Sequence, residues 1–267
     1  MCRHIAYLGE PVAPRELLVT PSYALYRQSW APRTQQYGTV NADGFGLGWY
    51  AEDDEIPARY RRAGPVWADA AFADLARVIR TRALLAAVRS ATDGCAAGEQ
   101  AAAPFSSGRW LFSHNGAVAG WPGKLDALAG LLPPAELLDL EARTDSALLW
   151  ALTLHRLRAG AGLGEALSGT VADVTAHTTG RLNLLLTDGR TIAATTWGDT
   201  LHHRTLPGLG VVVASEPYDD DPNWTAVPDG SLLLAGPSDA AGPSHAAGPS
   251  RGFEPMRVTV RPIPSCA

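Results

Sequence analysis

The chain has 267 residues, of which 46% are apolar and 18% charged, with a net charge of −5. That length suits one large domain or two small ones with a real core, and the composition is that of a folded chain rather than a disordered one. The acidic balance argues against nucleic acid or an anionic membrane as the main partner, and no apolar run is long enough to cross a bilayer.

The opening MCRHIAYLG lacks a charged stretch followed by a long apolar one, so no secretory signal is read there and a cytoplasmic location is expected. Strands are predicted over residues 3–8 and 45–50. A helix over 70–82 follows, with Phe72, Leu75, Val78 and Ile79 on one stripe. Further strands are predicted over 84–89 and 110–114, and helices over 121–132, 144–158 and 164–176. In the helix over 144–158, Ala147, Leu148, Trp150, Ala151, Leu154 and Leu157 form a wide apolar face. Strands over 181–187 and 190–197 are joined at Asp188-Gly189, a hairpin turn signal. Strands over 209–215 and 231–234 complete the series, and 258–262 adds a last one. Hairpin-joined strands with helices in separate blocks predict an α+β fold of antiparallel sheets covered by helices, not an alternating nucleotide-binding fold. Phe45-Gly46-Leu47-Gly48 opens no helix, so it is not read as a phosphate loop.

Residues 235–252 read AGPSDA-AGPSHA-AGPSRG, a six-residue tandem repeat nearly free of apolar bulk. A flexible segment without function is expected there, after a domain spanning 2–234 to which 253–263 adds a strand. The three cysteines, Cys2, Cys95 and Cys266, are far apart and suggest neither a disulfide framework nor a zinc knuckle. The seven histidines show no ligand spacing; His202 and His203 point to opposite faces of a strand and read as a surface pair, so no metal is expected.

Met1-Cys2 carries the most chemical information. Methionine is removed before a small second residue, which leaves one residue holding both a thiol and a free α-amine. An α-amine titrates near about 7.7–8.0 and can serve as the base for the thiol beside it. Taken alone, a chance cysteine at position 2 is the better reading.

Behind Cys2 the chain presents Asn41-Ala-Asp-Gly-Phe-Gly-Leu-Gly-Trp49, then Val88-Arg-Ser-Ala-Thr-Asp-Gly94, then Ser113-His-Asn-Gly116, then Arg143-Thr-Asp-Ser146. In this order the elements resemble the class II glutamine amidotransferases, a family of N-terminal-nucleophile hydrolases. The resemblance spans residues 1 to about 230. It implies a four-layer αββα sandwich, with two antiparallel sheets between layers of helices. Ala87-Val-Arg-Ser-Ala-Thr92, Ala194-Thr-Thr-Trp-Gly-Asp-Thr200 and Ala214-Ser-Glu-Pro-Tyr218 resemble, within that family, the stand-alone amidohydrolases of ergothioneine biosynthesis. Those remove glutamate from γ-glutamyl-hercynylcysteine sulfoxide. Members that pass ammonia onward carry or recruit a synthase domain; none is seen here, so hydrolysis is expected. The wider family often has Arg-Trp-Ala-Thr-His-Gly where this chain has Arg89-Ser-Ala-Thr-Asp-Gly94, which implies a roomier entrance.

The resemblance assigns Cys2 as nucleophile and Asn115 and Gly116 as the oxyanion hole. It assigns Arg89 with Thr92 to the α-carboxylate of a small γ-glutamyl substrate, and Asp145 to its ammonium. A guanidinium fork suits a carboxylate, and donors aimed at developing charge suit acyl transfer. Each residue also has a plain structural reading. Arg89 suits a surface ion pair, Asp145 a helix N-terminus, and Asn115-Gly116 a turn after a strand. His114 is read as structural. Asn41–Trp49 is expected on a core strand beside Cys2, and Tyr218-Asp-Asp-Asp221 as a solvated acidic turn. A trimethylammonium group suits aromatic faces, which makes Trp30, Tyr37, Trp67, Tyr218 and Trp224 candidate contacts. No cofactor is implied. A general γ-glutamyl peptidase, a glutaminase and a non-enzymatic binding module stay open as alternatives.

Overall fold

A computed structural model of the protein describes residues 2–92, 94–123, 125–237 and 255–264. In chain order the strands are β1 (Arg3–Val12), β2 (Phe45–Trp49), β3 (Ala58–Arg62), β4 (Thr81–Val88), β5 (Phe105–Ser107) and β6 (Trp110–Val118). After two long helices come β7 (Gly180–Thr187), β8 (Ile192–Thr196), β9 (His202–Leu206), β10 (Gly210–Ala214), β11 (Thr225–Ala226), β12 (Ser231–Pro237) and β13 (Met256–Pro262). The helices are α1 (Pro14–Leu18), α2 (Leu25–Gln28), α3 (Ala70–Val78), α4 (Asp126–Ala129), α5 (Pro134–Leu138), α6 (Asp145–Arg158) and α7 (Leu163–His177).

Among the described residues, the strands form two antiparallel sheets, ordered β11-β9-β10-β1-β4-β2-β3 and β13-β12-β8-β7-β6-β5. Alternation along each strand decides the layers. Ile5, Tyr7, Leu84, Ala86, Val88 and Val212 face outward against Leu17, Leu18, Leu25, Phe72 and Ala76 of α1, α2 and α3. Their neighbours Ala6, Leu8, Ala83, Leu85, Val211 and Val213 face the second sheet, where they meet Leu111, Leu185, Ala194 and Leu233. The other face of that sheet, with Phe112, Leu182, Leu184 and Leu186, packs on Leu148, Leu152, Leu167 and Val171 of α6 and α7. Helix, sheet, sheet and helix are therefore stacked, the αββα arrangement expected. Central strands covered on both faces need apolar residues at every position, which explains runs such as Leu84-Leu-Ala-Ala-Val88.

Several boundaries differ from the sequence reading. The helix expected over 70–82 stops at Val78, because Thr81 onward pairs with both β1 and β2. The helix expected over 121–132 shrinks to one turn, Asp126–Ala129, bounded by Pro122, Gly123 and Gly130. The strand expected over 110–114 runs on to Val118, so Asn115-Gly116 is not a turn. β12 extends three residues into the repeat, where Ala235, Gly236 and Pro237 pair with β13; the rest of the repeat, 238–252, lies outside the described residues. β3, β5, β9 and β11 and the short helices α1, α2 and α5 were not anticipated. β3 and β9 are largely polar, and the others too short to show a period. The 41–49 segment is not directly beside Cys2: β4 lies between β2 and β1. Its glycines do serve close approach, since a Cβ on Gly46 would meet the Ala103 carbonyl at 2.3 Å.

Candidate active site

Cys2 immediately precedes β1, and the site forms at that end of the sandwich. His4 Nδ1 lies 3.2 Å from Ser113 Oγ across the gap between the sheets. Further into the sandwich, Ala6 and Leu8 share a cluster with Leu111. The facing strands thus run in opposite senses, and one more alternation brings Cys2 opposite Asn115.

The nucleophile candidate is half-buried, and its Sγ donates a long 3.8 Å contact to the Ser90 carbonyl. Burial pushes the thiol pKa up; the Ser90 contact and the Arg89 guanidinium pull it back, and the Asp145 carboxylate adds to the rise. A thiol so placed is protonated at neutral pH and needs a base to react.

Register continues Arg3↔Val88 toward Cys2 and Arg89. Arg89 is nearly buried, and its Nη1 and Nη2 donate to the backbone carbonyls of Asp43 (3.1 Å) and Ala96 (2.8 Å). The Asp43 carboxylate does not pair with Arg89; it accepts from the Ala91 N–H at 2.8 Å. Among the described residues Arg89 has no ion-pair partner, which removes the surface salt bridge as its explanation. Neutral carbonyls orient the fork and leave its charge available.

Asp145 opens α6, where the Thr144 hydroxyl caps the helix by accepting from the Ala147 N–H. The carboxylate accepts from the N–H groups of Val118 (3.0 Å) and Ser146 (2.8 Å). It too is buried without a cationic partner among the described residues. The segment carrying Thr92 ties the two charges together. Thr92 O accepts from the Cys95 N–H, Ala96 O accepts from Arg89, Ala96 N donates to Arg143 O, and Cys95 Sγ sits 3.8 Å from Asp145 Oδ1. Thr92 itself is half-buried. Cys95 at the Asp145 carboxylate was missed from sequence, where a lone cysteine carried no signal.

Asn115 is fully buried, and among the described residues neither its Oδ1 nor its Nδ2 has a hydrogen-bond partner. Directly across the strand pair, the equally buried Asn183 is satisfied three times: Nδ2 donates to the carbonyls of Asp199 (2.9 Å) and Thr200 (3.1 Å), and Oδ1 accepts from Trp197 N–H (2.9 Å). A free buried amide beside a nucleophile is rare enough to call for a ligand. Gly116 follows at φ +155°, and a Cβ there would lie 1.8 Å from the Arg181 carbonyl. His114 is engaged at both nitrogens, with Ser146 Oγ at 3.0 Å and Arg181 O at 2.9 Å, so it ties β6 to α6 and β7.

The chain as a whole has counterparts among known proteins. Residues 19–207 match the model of glutamine amidotransferases class-II. The chain belongs to this family. It is 45% identical to the γ-glutamyl-hercynylcysteine sulfoxide hydrolase of Mycolicibacterium smegmatis, over 87% of this chain and 95% of that one. It is 42% identical to the same-named hydrolase of Mycobacterium tuberculosis, over 87% and 92%. A glutamine aminotransferase class-II domain protein from Silicibacter pomeroyi has the same fold, with a TM-score of 0.65, 23% identity and full coverage of both chains.

The aromatic candidates separate. Arg204 lies 5.0 Å from the rings of both Tyr218 and Trp224 and pairs with Asp219 at 2.8 Å and Asp221 at 3.1 Å. The acidic stretch is thus a built ion cluster on the outer face rather than a solvated turn, and its rings already hold a cation. Trp30 meets Tyr26 and Trp67 edge-on. Tyr37 is exposed and carries the Arg181 guanidinium at 4.2 Å. Among the described residues no group of three or more His, Cys, Asp or Glu comes together as metal ligands, and no helix is long and apolar enough to cross a membrane.

Proposed function

We propose that this chain hydrolyses the γ-glutamyl amide of γ-glutamyl-hercynylcysteine sulfoxide, releasing glutamate and hercynylcysteine sulfoxide, in ergothioneine biosynthesis. The chemistry rests on one observation above all: the buried Asn115 amide, unpartnered among the described residues, on β6, the strand that β1 and its preceding Cys2 face. The substrate rests on the two hydrolases to which the chain is 42–45% identical.

Removal of Met1 frees the Cys2 α-amine, which takes the thiol proton. The sulfur attacks the γ-carbonyl carbon, and the oxyanion receives hydrogen bonds from Asn115 Nδ2 and the Gly116 N–H. Arg89 holds the α-carboxylate beside Thr92, and Asp145 holds the ammonium, which together fix the carbonyl over the sulfur. The intermediate collapses as the leaving nitrogen takes the proton from the α-ammonium, and a γ-glutamyl thioester remains. Water, deprotonated by the α-amine, attacks the thioester, and glutamate departs as the sulfur leaves. The catalytic unit comprises residues 2–237 with the strand β13, the repeat beyond Pro237 has no part in the chemistry, and the enzyme works in the cytoplasm without cofactor, membrane or nucleic acid.

Purified protein, shown by intact mass to begin at Cys2, is incubated with γ-glutamyl-hercynylcysteine sulfoxide and free glutamate is measured. Steady release that is lost in Cys2→Ala supports the assignment. No release from protein with an intact N-terminal Cys2 overturns it. Higher kcat/KM for glutamine or glutathione redirects it to a glutaminase or a general γ-glutamyl peptidase.

A further inference from the structure

Arg181 is the second residue of β7, beside Gly116 of the proposed oxyanion hole. Leu182, Leu184 and Leu186 face the helices, whereas Leu185 faces the other sheet, and Arg181 shares the parity of Leu185 and Asn183. It therefore lies on the same sheet face as Asn115, whose register partner is Asn183; Arg181 itself pairs with Ala117. A step of two residues along one strand and one across is about 7–8 Å, within reach of an arginine.

The side chain is held by two contacts that spare its far edge. Nε donates to Asp199 Oδ2 at 3.2 Å, and the guanidinium carbon sits 4.2 Å from the Tyr37 ring. Among the described residues Nη1 and Nη2 have no hydrogen-bond partner, and the side chain is 27% exposed. One edge and one face are used, and the paired Nη edge is open, which is the edge that takes a carboxylate with two parallel bonds. Burial pushes the Asp199 carboxyl pKa up, and Arg181 and the buried Arg3 pull it part of the way back.

Position assigns the ligand. β4, which leads into Arg89, packs over β6, and β1 packs over β6 and β7. Arg89 and Arg181 thus approach Cys2 and Asn115 from opposite flanks. With the γ-glutamyl group on the Arg89 side, the leaving amine projects toward β7.

We propose that Arg181 binds the α-carboxylate of the leaving amino acid and makes the enzyme select γ-glutamyl amino acids over glutamine. The proposal rests on the γ-glutamyl hydrolase reading and adds the residue that recognises the other half of the substrate. In the proposed substrate the scissile nitrogen belongs to a cysteine residue, so a carboxylate stands one carbon from it. Glutamine, whose leaving group is ammonia, offers nothing to Arg181.

The test uses a matched pair, γ-glutamylalanine and γ-glutamylethylamide, whose leaving amines differ only in the carboxylate. Wild type is expected to favour γ-glutamylalanine by about 10–100-fold in kcat/KM, the range of a charge-assisted bidentate pair. In Arg181→Gln the ratio falls to near one, carried by KM, and Arg181→Lys restores part of it. A wild-type ratio near one, or a ratio unchanged in Arg181→Gln, overturns the role of Arg181 and leaves γ-glutamyl hydrolysis standing. Absence of glutamate release from both compounds and from γ-glutamyl-hercynylcysteine sulfoxide overturns both.

Discussion

Asn115 and Asn183 form a controlled pair: same residue type, same sheet face, same depth, opposite hydrogen-bond status. In Asn183→Ala, two carbonyls and one N–H lose their partners. Orphaned buried groups cost about 1–3 kcal/mol each at most, and some relax onto water, so a loss of about 2–4 kcal/mol is expected. Asn115→Ala is different, because among the described residues nothing bonds to that amide. Removing two unsatisfied buried polar atoms relieves about 1–3 kcal/mol, and the small cavity costs about 1–2 kcal/mol, so the changes nearly cancel. Activity should move the other way, since loss of one oxyanion donor lowers kcat by about 10²–10³. Urea unfolding gives the stabilities, and glutamate release under saturating substrate gives kcat. If Asn115→Ala loses more than about 2 kcal/mol, or keeps a kcat within threefold of wild type, the amide is structural and the oxyanion assignment fails.

Gly116→Ala places a methyl group against the Arg181 carbonyl at a backbone angle that disfavours side chains. A loss of at least about 3 kcal/mol is expected, which lowers Tm by roughly 6–12 °C; a melt within 2 °C of wild type, measured by calorimetry, contradicts the geometry. Arg89→Lys keeps the charge but loses the fork, so KM for the γ-glutamyl substrate should rise about 10–100-fold, and an unchanged KM removes Arg89 from the site. Burial, with smaller contributions from His114 and Arg3, lowers His4 to about 3. The unfolded chain, with its histidine near about 6.5, then takes up a proton that the folded one refuses. Stability attributable to His4 is present above pH 6.5 and declines by up to about 1.4 kcal/mol per unit as pH falls from there toward 3. Urea midpoints of His4→Asn between pH 7 and 4 should show a flatter decline than wild type, and equal slopes refute the assignment. A large residue inserted between Met1 and Cys2, which blocks methionine removal, should cut kcat at least about 100-fold, the usual contribution of a general base; full activity, with the extension verified by mass, excludes the α-amine.

Much was legible in the residues. Cys2, Arg89, Asn115-Gly116 and Asp145 stand in short strings whose chemistry suits amide hydrolysis, and Ser113–Gly116 lies within β6. Hairpin-joined strands with helices in separate blocks pointed to antiparallel sheets covered by helices. The ends of elements were less legible, because they depend on neighbours: Thr81 leaves a helical pattern for β4 once β1 and β2 are available to pair. The polar strands β3 and β9 carry no periodic signal at all.

The pattern of strands and helices in the sequence pointed to antiparallel sheets covered by helices, and the short strings behind Cys2, through their resemblance to the family, pointed to the candidate nucleophile and the αββα layering. Only the tertiary structure decided which groups are already engaged. His114 and Asn183 are fully bonded, Tyr218 and Trp224 already hold Arg204, and among the described residues Asn115 and the Nη edge of Arg181 stand free. The physical reason is register. Hydrogen bonds between residues more than sixty positions apart, such as His114 to Arg181, form only once strands from both halves of the chain are aligned.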